Sequence, residues 1–285
     1  VAERKLDLER NRSLAVVLRP AKVGTRRSRG KQMNGRLECV ESMTDPEARI
    51  WRVNGKIRRV RLRLYKVRLR AWWFAFQQWH RLRKRCGFLP AASERRLVVG
   101  VGMHRTGTRS LCMYLRSLGL KDVHWPWWCD RQVSRRVDDP EEVVDILEPL
   151  LYKYDCFADL PFPGLYRVLD RRFPNSRFIL VRRDPLRWWR SVKRHLELEK
   201  GAYRLHPFEE VVYRQYEPSD MSLIRADDEQ SLISKFERHS AEVQAYFDGR
   251  EDKLLVLDLE DDRISERISE FLGMRVQAYP HESRH

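Results

Sequence analysis

No stretch of about 18 consecutive apolar residues occurs anywhere in this 285-residue chain, so no membrane-spanning helix is expected. The longest apolar cluster, AWWFAF at 71–76, is far too short. There is no Cys-x-x-Cys pair. The five cysteines, at 39, 86, 112, 129 and 156, are odd in number and scattered, which indicates neither a zinc site nor a disulfide framework. A reducing, cytoplasmic compartment is the simpler expectation. The first twelve residues are charged, unlike a secretory signal.

Acidic residues are scarce in one region only. Residues 1–95 hold 26 Lys and Arg against 8 Asp and Glu, whereas the remaining 190 hold 31 against 33. The net charge of +16 therefore belongs to the first third. This divides the chain into a basic extension, 1–90, and a near-neutral globular domain, 91–285, joined at GFLPAASERR (87–96).

Residues 1–55 show little sustained period and read as mostly irregular. Residues 56–85 differ: twelve are basic and none is acidic. Ile57, Val60, Leu64, Val67, Ala71 and Phe74 recur at helical spacing, as do Leu62, Tyr65, Leu69, Trp72, Phe76 and Trp79. Two such stripes predict one wide apolar helix face. That face can dock on the main domain, or meet an anionic membrane or a protein partner. Charge without a recognised binding module does not point to nucleic acid.

The second part alternates apolar strands with helices. RLVVGV (96–101), RFILVRR (177–183) and KLLVLDL (253–259) read as core strands. Helices are expected from Leu111 to Leu118, from Asp139 onward, around 165–169, after Pro185, and over 231–247. Asp139, Pro140 and Glu142 suggest a capping box, and Pro149 a kink or an end. The pattern implies an α/β fold: a three-layer, P-loop-like parallel sheet covered by helices on both faces. Ligands in such sheets sit at the carboxyl ends of the strands.

The segment VVGVGMHRTGTRSL (98–111) leaves such a strand end. Gly102 and Gly107 have the spacing of a phosphate loop, but Thr108 stands where a Walker loop places lysine. Backbone N–H groups and the helix start would face an anion, with Arg105 supplying the cation and Thr106, Thr108 and Ser110 the hydroxyls. A second segment, VRRDPLRWWRS, places Arg183 at a strand end and Ser191 eight residues later. A forked guanidinium suits a phosphate dianion.

In these two motifs the sequence resembles the sulfotransferase family, whose 5′-phosphosulfate loop carries Lys or Arg and then Ser/Thr-Gly-Thr, as in HRTGTRSL. The likeness runs from about 96 to 280 and includes YDCFADLPF and LDRRFPNSRFILVRRDP. It implies 3′-phosphoadenosine 5′-phosphosulfate (PAPS) as donor and no metal. Arg105, Thr106, Gly107, Thr108, Arg109 and Ser110 would cradle the 5′-phosphosulfate; Arg183 and Ser191 would hold the 3′-phosphate. One departure is plain: no late Arg-Lys-Gly donor loop is found, and the tail PHESRH does not supply it. The acceptor would be a small molecule, glycan or lipid bearing a hydroxyl or amine. If an upstream anchor has been lost, the Golgi lumen replaces the cytoplasm as the expected location; a membrane-peripheral cytoplasmic site is the other variant.

Two residues compete as the base. Asp159 stands where family members carry a catalytic His before Leu-Pro, and would need its pKa raised by burial. His124, in KDVHWPWW, has an ordinary pKa nearer to working pH. Each also has a plain structural reading: Asp159 as a cap of the helix near 163, His124 as a half-buried hydrogen bonder. Arg105 would stabilise the leaving phosphate. His104 is expected to face donor or solvent. Trp125, Trp127, Trp128, Phe157 and Phe162 would line an acceptor pocket or belong to the core. Two other readings remain: a P-loop NTPase or phosphotransferase with Asp258 as metal carboxylate, and a non-catalytic nucleotide-binding module tethered by the basic arm.

Overall fold

The computed structural model describes residues 55–216 and 222–280. The irregular region expected over 1–55 lies almost wholly outside the described residues. Within them, five parallel strands form the central sheet: β1 (Val98–Gly100), β2 (Asp122–His124), β3 (Cys156–Ala158), β4 (Arg177–Arg182) and β5 (Leu254–Asp258), in the order β2-β3-β1-β4-β5. The α/β parallel-sheet architecture is as expected, with β2 and β3 added to the three strands legible from apolar runs. β1 is central, with Val98 beside Cys156 on one side and Arg177 on the other.

Alternation along the strands splits the core in two. Val98, Cys156, Ile179, Val181 and Leu257 face one side, where they pack with α2 (Thr108–Ser117) and the last helix (Ile264–Leu272). Val99, Phe157, Phe178 and Leu180 face the other. That side is covered by α3 (Pro140–Lys153), α4 (Tyr166–Arg172), α5 (Pro185–His195) and, after α6 (Pro207–Tyr213), α7 (Glu229–Tyr246). The last helix is α8. Each such buried side chain contributes about 1.5–3 kcal/mol.

Asp139 caps α3 by accepting from the N–H groups of Glu141 (3.0 Å) and Glu142 (3.1 Å). The Glu142 side chain pairs with Arg136 at 2.6 Å instead of closing the box. Pro149 neither ends nor shortens α3, which runs four residues further. The segment after 87 is clamped rather than loose, because Arg95 donates to the carbonyls of Leu151 and Tyr154 at the end of α3. Such cationic capping satisfies terminal helix carbonyls.

α1 (Gly55–Arg85) forms as the 3,4 spacing predicts and shares a compact unit with the α/β domain. The docked face corrects the expectation of one wide apolar face. Trp73, Gln77 and His80 form its buried centre. Trp73 Nε1 donates to Gln132 at 2.7 Å, and His80 meets Glu148 at 3.3 Å. Tyr65, Leu69 and Phe76 are partly buried beside them, whereas Leu64, Val67, Ala71 and Phe74 are exposed. The described residues of the first stripe point away, whereas the second divides, with Tyr65, Leu69 and Phe76 against the protein and Trp72 and Trp79 exposed.

Candidate active site

The crevice lies where β1, β3 and β4 end. Two glycines shape the turn after β1. A Cβ on Gly102 would stand 2.7 Å from both Thr106 Oγ1 and the Val181 carbonyl oxygen. Gly107 has φ +80° and precedes α2. Arg105 shares the left-handed region at φ 66°, a costly conformation for a residue with a Cβ. Thr106 Oγ1 ties the turn by donating to the Met103 carbonyl at 2.6 Å. Among the described residues, the N–H groups of His104, Arg105, Thr106, Gly107 and Thr108 donate to no protein acceptor. Five successive spare donors at a helix start make an anion cradle.

The second motif closes on the first. Asp184 caps α5 through the Arg187 N–H (2.8 Å), with Pro185 in the first turn. This bend aims three side chains at the glycine loop. Arg183 Nη1 donates to the Arg105 carbonyl at 2.8 Å. Trp188 Nε1 donates to the His104 carbonyl at 2.9 Å. Arg105 Nε donates to Ser191 Oγ at 3.0 Å. The structure thus brings Arg105, Arg183 and Ser191 together around one end of the loop. Thr108, Arg109 and Ser110 occupy the first turn of α2, with Thr108 and Ser110 buried.

The electrostatics of this corner fit an anionic phosphate. Neither Arg105 nor Arg183 forms an ion pair among the described residues. Burial lowers the pKa of both, and the Arg183 charge lowers that of Arg105 further. Arg183 Nε is buried with no hydrogen-bond partner. A buried, unpaired guanidinium donor is costly unless an anion completes it.

On the other flank, β2 and β3 run in register with His124 opposite Ala158. The next residue, Asp159, turns at φ +69° and places its carboxylate 3.1 Å from His124 Nε2. Thr108 Oγ1 lies 3.2 Å from the same nitrogen. Asp159 also accepts from the Leu160 N–H at 2.9 Å and caps no helix. Burial acts to raise the Asp159 pKa, but His124, His104 and the Leu160 N–H outweigh it and bring it down to about 2. The expected upward shift of Asp159 is therefore corrected: its proton is lost to pairing with His124. The two residues that competed as base form one couple.

His104 is likewise corrected. It does not face solvent: its ring is buried edge-on to Trp188 and Tyr213, with Nε2 2.6 Å from the Tyr213 hydroxyl. Burial lowers its pKa to about 4. Phe157 and Phe162 are fully buried core, whereas Trp125, Trp127 and Trp128 are partly exposed, with Trp125 packed on His206 and Phe208. Asp258 is held by Arg182 through two bonds of 3.0 and 2.9 Å.

Three supporting residues escaped the sequence reading. Trp188 lies within the segment VRRDPLRWWRS, so its position was visible but not its target. Tyr213 and His239 carry no local signal. His239 Nε2 meets the Val101 carbonyl at 2.7 Å and its Nδ1 meets the Tyr216 hydroxyl at 2.6 Å, bracing the chain as it enters the glycine loop.

Among curated proteins none matches this chain. A crystal structure of a sulfotransferase from Alicyclobacillus acidocaldarius aligns with a TM-score of 0.42 and 18% identity, covering 67% of this chain and 86% of that one. The model of the sulfotransferase domain matches residues 97–285, which include both loops and the His124–Asp159 couple. By that match, the chain belongs to the sulfotransferase family.

Proposed function

We propose that this protein transfers a sulfuryl group from PAPS to a hydroxyl or amine of a small-molecule, glycan or lipid acceptor. One observation carries the reading: Arg105 of the glycine loop reaches Ser191, while Arg183 grips the Arg105 carbonyl. These contacts support reading the two motifs as one continuous phosphate-binding surface.

The loop N–H groups from 104 to 108, with Thr106, Thr108, Arg109 and Ser110, would hold the 5′-phosphosulfate. Arg183 and Ser191 would hold the 3′-phosphate. When bound, the donor supplies the sulfuryl group and departs as 3′,5′-bisphosphoadenosine. Arg105 and the loop amides stabilise charge on the leaving oxygen, an effect that is large in a partly desolvated site. His124 takes the acceptor proton, and Asp159 stabilises the resulting imidazolium. A carboxylate with a pKa near 2 is a poor base by itself but a good partner for a cation. Thr108 connects the couple to the phosphate loop.

The test is thermal stability in metal-free buffer. The bisphosphate at saturating concentration should raise Tm by mass action, and Arg183→Ala should erase most of that rise. A larger rise with magnesium and ATP, or none with the bisphosphate, would overturn the proposal. Asp258, the carboxylate an NTPase would need for its metal, is occupied by Arg182.

A further inference from the structure

We infer that the outward face of α1 docks on the surface of an anionic lipid bilayer, with the helix lying parallel to it. The inward face is accounted for by Trp73, Gln77 and His80. At 100° per residue, Leu64, Ala71, Ala75 and Leu82 fall on the opposite side, with Val67 and Phe74 along its edge. All are exposed, and Leu64, Val67, Phe74 and Leu82 are 58–62% accessible. The ridge extends about 27 Å along the helix. Phe88, just past the helix end, is 69% exposed and adds to it. Exposed Gln78 interrupts the ridge between Ala75 and Leu82, and an exposed apolar helix face of this length marks an interaction site.

Charge complementarity selects the occupant. Residues 56–85 carry twelve basic side chains and no acidic one. Among the described residues, Arg68, Arg81 and Arg85 flank the ridge and form no ion pair. An apolar ridge edged by unpaired arginines, with Trp72 and Trp79 at its shoulder, is the chemistry of an interfacial helix. Nucleic acid matches the arginines but offers nothing to Leu, Val and Phe. No helix among the described residues is long and apolar enough to cross a membrane, so contact is with the surface. The inference does not depend on the sulfotransferase reading, and its readouts involve no activity.

The test is co-sedimentation of the full chain with vesicles of phosphatidylcholine alone, or with about 30% phosphatidylserine, in about 0.1 M salt. Binding to the anionic vesicles should exceed binding to the neutral ones by at least about tenfold, and fall in high salt. The pair Val67→Asp and Phe74→Asp should weaken it by at least about tenfold, because the apolar insertion is lost. Its Tm should be unchanged, since both side chains are largely exposed. If that variant fails to fold, Arg68→Gln with Arg81→Gln replaces it, with the same expected loss. Equal binding to neutral vesicles, or anionic binding indifferent to these variants, overturns the inference. So does a dimer that Val67→Asp and Phe74→Asp dissociate, or oligonucleotide binding lost in that variant while vesicle binding persists.

Discussion

His124 and Asp159, 35 positions apart in sequence, stand 3.1 Å from each other because β2 and β3 run parallel with His124 opposite Ala158. In the mechanism proposed above, this pairing makes the imidazole the base and the carboxylate its holder. His124→Ala should lower kcat by about 10²–10⁴ once an acceptor is in hand. The bisphosphate-induced Tm shift should stay intact. Asp159→Asn should also lower kcat, while leaving KM for the donor within a few-fold. Steady-state kinetics with radiolabelled donor would separate the two; full activity in His124→Ala would refute the assignment.

Asp159 also ties stability to pH. Its folded-state pKa, about 2, lies below its ordinary value of 3.8. The stabilisation is therefore present above about pH 4 and is lost as pH falls through 2. At neutral pH the couple contributes about 2 kcal/mol. Asp159→Asn should reduce the urea-unfolding free energy by that order at pH 7 and make little difference at pH 2. A pH-independent loss would point to packing rather than charge.

Two buried histidines act at higher pH. Burial first of all holds His104 and His239 each near pKa 4, against an ordinary 6.5. Both are neutral in the folded protein at pH 7 and must gain protons on acidification, which favours the unfolded chain. Stability is thus full above about pH 6.5 and declines toward pH 4, by up to about 2.7 kcal/mol per pH unit for two protons. His239→Gln, which keeps a donor for the Val101 carbonyl, should roughly halve that slope. Urea titrations at pH 7, 6 and 5 would show it; an unchanged slope would exclude His239 as a contributor.

Much of this arrangement is legible in the residues. Apolar runs ending in GMHRTGT and RRDPLRWWRS mark the strand ends, and the glycine spacing marks the loop. β3 escapes as a strand because it is three residues long and carries no alternation. With β3 unseen, the register that joins His124 to Asp159 is unseen too. The face of α1 is misread for a related reason. Gln77 and His80 are polar, so periodicity assigns them to solvent, yet each is buried with a partner on another element. Hydrogen bonds between distant elements, such as Trp188 to the His104 carbonyl, leave no trace in local pattern.

Trp188 provides a test of how the loop is held. Its indole is fully buried, stacked on Phe236 at 4.3 Å, and donates to the His104 carbonyl. Trp188→Phe keeps most of the packing but leaves that carbonyl unpaired, at a cost of about 1–3 kcal/mol. On the proposed reading the loop positions the donor's phosphate, so affinity for the bisphosphate should fall along with stability. Calorimetric titration would detect this; unchanged affinity would mean that the loop holds its shape without the tryptophan.

Gly102→Ala probes the same loop from inside. The added methyl would collide with the Val181 carbonyl at 2.7 Å, a backbone atom of β4 that cannot swing aside. It would equally crowd Thr106 Oγ1, which ties the turn to Met103. Relief requires the loop to lift from the sheet, costing about 1–3 kcal/mol. The lift also displaces Arg105 from Ser191 and the Arg105 carbonyl from Arg183, so bisphosphate affinity should drop more than tenfold. Gly249→Ala is the control. Its left-handed φ of 69°, which Gly102 does not have, adds backbone strain, but its added methyl meets nothing within 4 Å, so affinity should be unchanged. If both variants bound the bisphosphate equally well, close approach at Gly102 would not be what shapes the site.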